Sequence, residues 1–335
     1  MENAQPRIGV IGSGSWATAL IKLLSENQSH INWYIRNEET AHAVIENKHN
    51  PRYLTDVEFD IDHIHINSDI NAVVSNSDYL ILVTPSAFLD SELQKIQHPL
   101  SDKVIFSAIK GIIPESYLIV GEHLMKHYDV AIDNFGVISG PCHAEEVALE
   151  RLSFLTISSA TPVYASVMAE QLRTKYIVCN ESEDVIGTEY ASVLKNIYAI
   201  AAGIAHGLGY GDNYQSVLMS NAIKEMKRFI KKRYKMKRNI NDSAYLGDLL
   251  VTGYSLFSRN RTFGNMIGKG YTVNSAKSEL NMIAEGYYAV KSAYTINAKE
   301  SKKQVKTPII NAVYKILYEG KNPKKTFLKL SGKLK

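Results

Sequence analysis

Cysteine is nearly absent: the 335 residues hold only Cys142 and Cys179, so at most one disulfide could form and a stapled secreted scaffold is excluded. Nine prolines and twenty glycines are too few for a low-complexity or collagen-like chain. Long apolar runs are missing as well. The best candidates, Tyr79–Val83 and the glycine-broken Ile197–Ala205, fall far short of the ~18 residues of a membrane span. The start, Met1–Pro6, lacks the basic-then-apolar order of a secretory signal. These deficits predict a cytoplasmic protein in a reducing compartment, without a transmembrane segment. What remains is ordinary globular usage, 45% apolar and 21% charged, in enough chain for two domains.

The net charge of +4 is unevenly placed. Nine of the fifteen residues from Lys224 to Arg238 are Lys or Arg and only Glu225 opposes them, which leaves the rest of the chain acidic. Within that run Ala222, Ile223, Met226, Phe229 and Ile230 keep helical spacing, so the basic residues read as the solvated face of an amphipathic helix. A nucleic-acid or anionic-lipid patch is the lesser reading, because no aromatic interleaving or recognition motif accompanies the charge; no nucleic-acid partner is expected. The tail from Lys321 to Lys335, with six lysines, reads as a short terminal helix.

In the first half, short β-branched runs alternate with helical stretches. Strands are predicted at Arg7–Ile11, Ile31–Ile35, His63–Ile66, Tyr79–Val83, Val104–Phe106, Phe135–Ile138 and Leu152–Ser158, and helices at Ser15–Glu26, Glu38–Glu46, Pro114–His127 and after Pro162. This alternation points to a Rossmann-type, doubly wound parallel sheet over residues 1–183. From about Asp184 the apolar residues keep helical periods, so an all-helical domain, 184–335, is expected to follow and to carry the substrate chemistry.

Directly after the first predicted strand comes Gly12-Ser13-Gly14-Ser15-Trp16-Ala17, opening a helix. Gly12 suits the tight turn, Gly14 lets the backbone approach a pyrophosphate, and Ala17 keeps helix and strand close. A purely steric glycine turn is the competing explanation, but strand before and helix after favour a dinucleotide site. The second strand ends at Arg36 where an NAD-preferring site would carry Asp or Glu, which favours NADPH/NADP while leaving NADH/NAD possible. The alternative for Arg36 is a surface charge balanced by Glu38 and Glu39.

In the second half, Lys195 and Asn196 interrupt a mostly apolar helix. Ala191, Ala199 and Ala202 share the face of Lys195 and leave space around its amine. A snorkelling lysine would need a nearby surface, whereas a buried one loses affinity for its proton and suits carbonyl reduction. Lys110, Arg259 and the donors of Ser258 and Asn260 form the kind of set that holds a phosphate, and Asp248 could orient or balance Lys195. No cluster has metal-ligand spacing, and no metal is expected.

Taken in order, Gly12-Ser13-Gly14-Ser15-Trp16-Ala17-Thr18-Ala19-Leu20, Lys110-Gly111, Ser139-Gly140-Pro141-Cys142-His143-Ala144, Leu194-Lys195-Asn196, Gly207 to Asn213, Gly247-Asp248-Leu249, Ser258-Arg259-Asn260-Arg261 and Ala284-Glu285-Gly286 make the chain resemble the NAD(P)-dependent glycerol-3-phosphate dehydrogenase family of bacterial type. The likeness runs from Ile8 to about Asn322. It implies reversible reduction of dihydroxyacetone phosphate to sn-glycerol 3-phosphate, a phospholipid precursor, by a cytoplasmic homodimer. By position, Lys195 becomes the proton donor in reduction and acceptor in oxidation, with Asp248 beside it. Lys110 touches cofactor and substrate; Gly140, Cys142, Asp248, Ser258, Arg259 and Asn260 line the substrate pocket. Ser15, Trp16, Arg36, Ala144, Arg259, Ile283 and Glu285 line the cofactor with Gly12 and Gly14. Cys142 stands where the family usually carries Ser or Thr. Two other readings compete: a dehydrogenase of hydroxy acids or sugar acids, which would not need the Ser258-Arg259-Asn260 set, and a dinucleotide-binding regulator without catalysis.

Overall fold

The computed structural model describes residues 5–280, 284–299 and 304–335. The chain forms two compact units, Met1–Ile109 with Val120–Val185, and Lys110–Ile119 with Ile186–Lys335.

The first unit is built on an eight-stranded sheet in the order β3-β2-β1-β4-β5-β6-β7-β8. The strands are β1 (Ile8–Ile11), β2 (Ile31–Tyr34), β3 (Ile64–Asn67), β4 (Tyr79–Leu82), β5 (Val104–Ser107), β6 (Phe135–Ser139), β7 (Ser153–Ser159) and β8 (Ile177–Ser182). The helices are α1 (Ser15–Ser25), α2 (Glu38–Asn47), α3 (Ile70–Ser75), α4 (Ser86–Leu93), α5 (Val120–His127), α6 (Ala144–Ala148) and α7 (Pro162–Leu172). Every residue of β1, β2 and β6 is buried, as an apolar strand covered on both faces requires. Strand β1 pairs in parallel with β2 and β4, Ile8 standing opposite Ile31 and Tyr79. The order reverses direction at β1, so the turn after β1 lies at the crevice where open α/β sheets bind ligands.

The parallel sheet has one antiparallel step, β6 to β7. The connection between them, residues 140–152, carries only the five-residue α6 as regular structure, a rise of about 7 Å, rather than the longer helix of an ordinary βαβ crossover. Strand β8 then pairs in parallel with β7. The helix predicted over Pro114–His127 begins only at Val120. Ahead of it Ile113 bridges Leu118 and Tyr117 takes the left-handed conformation at φ 58°, which closes a tight turn that helical periodicity cannot register.

The second unit is helical: α8 (Val185–Gly207), α9 (Asp212–Arg233), α10 (Asp248–Tyr254), α11 (Arg259–Gly268), α12 (Val273–Glu279), α13 (Glu285–Lys299), α14 (Pro308–Leu317) and α15 (Pro323–Ser331). Helices α8 and α11 cross in backbone contact. A Cβ added to Gly264 would stand 2.1 Å from the Ile200 carbonyl oxygen, and one added to Gly203 would stand 2.0 Å from that of Arg261; no side chain fits between them. In α9 the predicted stripe is inward, with Ala222, Met226, Phe229 and Ile230 buried. Glu225, the only acid of the basic run, is buried as well and accepts the Ile309 and Ile310 N–H groups at 2.9 Å each, capping the start of α14 from outside it. No helix among the described residues is long and apolar enough to cross a membrane.

Candidate active site

In the first unit the turn after β1 is held from several sides. Gly12 adopts φ 135°, and a Cβ there would meet backbone of Val83 and Thr84 at 3.1 Å, so this position requires glycine. The Gly12 carbonyl accepts from Trp33 Nε1 at 2.7 Å. Asn50, fully buried, donates to the Ser13 carbonyl at 3.1 Å and to Thr18 Oγ1 at 2.9 Å, tying the segment after α2 to the turn. Gly14 is the N-cap of α1 and makes no side-chain cap bond, and the space where its Cβ would stand is open to 4 Å. The N–H groups of the first turn of α1 are thus without a side-chain cap from Gly14, and a helix start of this kind suits an anion. Ser15 is buried beside it, and Trp16 packs partly against the core. These features fit a dinucleotide pyrophosphate.

At the end of β2, Arg36 keeps 60% of its side chain exposed and pairs through Nη1 with Glu92 Oε1 at 3.2 Å. Its sequence neighbour Glu38 lies instead beside His42 in α2. At the end of β6, Gly140 takes φ 110° against the Phe154 carbonyl, Cys142 is buried in the core cluster, and Ala144 opens α6. Burial pushes the other thiol, Cys179, up to about 11.

In the second unit α8 delivers Lys195 into the interior, its side chain 5% exposed and its Nζ bonded to Oδ1 of Asp248, which is 1% exposed. Asp248 is the first residue of α10, reached through one wide helical turn, Ser243–Gly247, and Thr252 Oγ1 donates to its carbonyl at 2.6 Å. Its second oxygen, Oδ2, is buried without a hydrogen-bond partner among the described residues. Burial drives the Lys195 ammonium from its ordinary 10.5 down to about 7; Asp248 opposes that shift and Lys110 reinforces it.

Asn196 Nδ2 donates to the Lys110 carbonyl at 2.8 Å, so α8 fixes the start of the Lys110–Ile119 segment next to Lys195. Asn260, buried in the first turn of α11, accepts the Gly286 N–H on Oδ1 at 2.9 Å. That bond fixes the amide and leaves its NH₂ as the free end. Ser258 is the N-cap of α11, its hydroxyl accepting from the Arg261 N–H, with its own proton left to donate. Arg259 is exposed at the first position of α11, and Glu285 opens α13. A Cβ on Gly286 would meet the Asn196 carbonyl at 2.7 Å, which places the start of α13 against α8. Lys195, Asp248, Lys110, Asn196, Asn260 and Gly286 thus form one continuous cluster, with Ser258 and Arg259 at its edge on α11. Ile283 lies outside the described residues.

Asn50 and Glu92 have no counterpart in the sequence reading. Each acts through a partner distant in sequence, and the only local signals are an Asn-Pro turn and a Glu three residues from a Lys.

A desolvated lysine paired with a buried aspartate in one unit, and in the other a glycine turn that leads from β1 into α1, are features of the dinucleotide-dependent dehydrogenases as a class. Comparison with known proteins narrows this. The profile of the NAD-dependent glycerol-3-phosphate dehydrogenase N-terminus matches residues 7–165, and that of the C-terminus matches residues 184–328. The chain is 33% identical over 317 residues to glycerol-3-phosphate dehydrogenase (NAD(P)+) of Macrococcus caseolyticus, covering 94% of each. It is 34% identical over 319 residues to the enzyme of that name from Latilactobacillus sakei, covering 93% of this chain and 92% of the relative. The solved glycerol-3-phosphate dehydrogenase of Coxiella burnetii superposes with a TM-score of 0.89 at 25% identity, over 97% of this chain and 98% of that one. A D-mandelate dehydrogenase complex reaches a TM-score of 0.59 at 15% identity, over 96% of this chain and 99% of that one, a likeness of fold alone. The chain belongs to the NAD-dependent glycerol-3-phosphate dehydrogenase family and is an NAD(P)-dependent oxidoreductase.

Proposed function

We propose that this enzyme reduces dihydroxyacetone phosphate reversibly to sn-glycerol 3-phosphate, with Lys195 as the proton-exchanging group and NADPH favoured over NADH. The observation that carries the reading is the desolvated Lys195 held by Asp248. A bound reduced nicotinamide supplies the hydride that the carbonyl carbon needs. Lys195, as ammonium, gives a proton from Nζ to the ketone oxygen as charge develops there, and the neutral amine takes it back in oxidation. Asp248 steadies Nζ through Oδ1 and keeps Oδ2 free to accept a substrate hydroxyl. Lys110 and Arg259 hold the phosphate by charge, Arg259 with a planar fork, and the Asn260 NH₂ and Ser258 hydroxyl complete the donors. The family resemblance assigns Gly140 and Cys142 to the same substrate.

At the other end, the open first turn of α1 takes the pyrophosphate, and Arg36 pairs with the 2′-phosphate that NADH lacks. Ser15, Trp16, Ala144 and Glu285 complete the cofactor contacts. The reading extends to a cytoplasmic homodimer that feeds phospholipid synthesis, on the strength of the family resemblance.

The test is the dihydroxyacetone-phosphate-dependent loss of NADPH absorbance, set against hydroxy-acid and sugar-acid ketones. Lys195→Met is expected to lose roughly 10² to 10⁴ in kcat while NADPH affinity stays within a few-fold. A variant with near-normal kcat contradicts the role of Lys195.

A further inference from the structure

Arg36 does not stand alone at the end of β2. Its partner Glu92 sits on α4 with 3% of its side chain exposed. Three donors occupy that carboxylate: Arg36 Nη1 on Oε1 at 3.2 Å, and Tyr34 OH at 2.7 Å and Lys95 Nζ at 2.9 Å on Oε2. Burial works against the charge on Glu92, but the bonds from Lys95, Tyr34 and Arg36 outweigh it and the carboxyl stays below its ordinary range. Glu92 is therefore an anion at neutral pH. Being buried and fully engaged, it is not available to accept from a ribose hydroxyl, the usual task of an acid near this strand end. The guanidinium also lies over the Phe88 ring of the same helix, 5.9 Å from its centroid. One edge of Arg36 is thus held from α4 while the rest faces outward.

We propose that Glu92 sets the balance between the two nucleotides: it is a buried counter-charge that fixes the Arg36 guanidinium and offsets part of its attraction for a 2′-phosphate, so that the adenosine end accepts NADH as well as NADPH. The inference rests on Arg36 reading the 2′-phosphate. Glu92 touches neither substrate nor cofactor; it is a positioning residue that acts through Arg36 and through its field. Lys95 Nζ, on the same carboxylate, adds a second cation to the cluster. The cluster carries two cations and one anion, and removing the anion raises its attraction for a 2′-phosphate while leaving ligands without one unaffected.

The test uses the whole protein and two fragments, 2′,5′-ADP and 5′-ADP, with affinities read by calorimetry so that no turnover is needed. Glu92→Gln keeps the shape and one acceptor oxygen for Arg36 but removes the charge. It is expected to tighten 2′,5′-ADP roughly three- to tenfold, as loss of one partly screened charge at close range implies, and to leave 5′-ADP within about twofold. The ratio of kcat/KM for NADPH over NADH should rise in parallel. Unchanged or weaker 2′,5′-ADP binding with 5′-ADP unaltered would make Glu92 a simple strut, and an equal change in both fragments would make it a general packing residue; either overturns the proposal. Arg36→Ala separates the underlying reading: if wild type binds both fragments equally and this variant alters neither, Arg36 does not read the phosphate and the proposal falls with it. Should Glu92→Gln fail to fold, Lys95→Met probes the same cluster, with looser 2′,5′-ADP and unchanged 5′-ADP expected. Equal effects on both fragments would overturn it.

Discussion

Lys195 is legible in the sequence because a charge in the middle of an apolar helix has few structural explanations. The sequence also offers Asp248 as its counter-charge; the structure adds that the two meet across separate helices and that the ammonium is desolvated. Because Asp248 raises the affinity of Lys195 for its proton against the pull of burial, Asp248→Asn should let the pKa of Lys195 fall further. Reduction needs the ammonium, and its fraction drops tenfold for every pH unit by which the midpoint lies below the working pH. The variant should therefore reduce dihydroxyacetone phosphate several-fold more slowly at neutral pH. The pH midpoint of its activity should move down rather than up, which a pH series on the purified variant reads directly. Asn50 and Glu92 are illegible for the opposite reason. A polar residue near a turn or in a short helix looks like ordinary surface until the fold buries it against a distant partner.

Among the elements, β1 to β7 and the glycine turn are legible because both are local: buried strands are short apolar runs, and a tight turn needs glycine at fixed offsets; the edge strand β8, whose residues alternate between buried and exposed, is missed. The direction of β7 is not legible, since pairing direction is a property of the assembled sheet and leaves no mark in the strand's own apolar pattern. The start of α5 falls later than the hydrophobic period suggests because a left-handed Tyr117 leaves no trace in that period. The crossing of α8 and α11 joins element to site. It sets Lys195 on one helix against the Ser258-Arg259-Asn260 end of the other, and it depends on Gly203 and Gly264 lacking side chains. Gly264→Ala would put a methyl 2.1 Å from the Ile200 carbonyl oxygen, forcing the helices apart. A loss of about 1–3 kcal/mol is expected, seen as a lower Tm, together with a raised KM for dihydroxyacetone phosphate as the α11 donors shift. An unchanged KM would mean that the crossing does not position the substrate groups.

For the molecule as a whole, the basic run illustrates how charge at the surface and charge in the core diverge. Its only acid, Glu225, is buried under the start of α14, and burial pushes its carboxyl from the ordinary 4.5 up to about 8 despite the two backbone N–H bonds. A carboxyl whose pKa is raised by folding contributes stability below its unfolded value and loses it as pH rises through the folded one. Unfolding free energy should therefore fall between about pH 4.5 and 8 in wild type, and fall less in Glu225→Gln, which has no proton to lose there. Denaturant titrations at several pH values compare the two slopes, and equal slopes would show that Glu225 does not titrate in that window.

The most direct test of the central claim, that a buried Lys195 exchanges the proton in a dihydroxyacetone phosphate reductase, is the pH dependence of kcat/KM measured in both directions on the wild-type enzyme. Reduction of dihydroxyacetone phosphate should decline, and oxidation of glycerol 3-phosphate should rise, as pH increases through one shared midpoint near 7, the value to which burial brings Lys195. Limbs that run in the same direction, or no inflection near that midpoint in either direction, would contradict it.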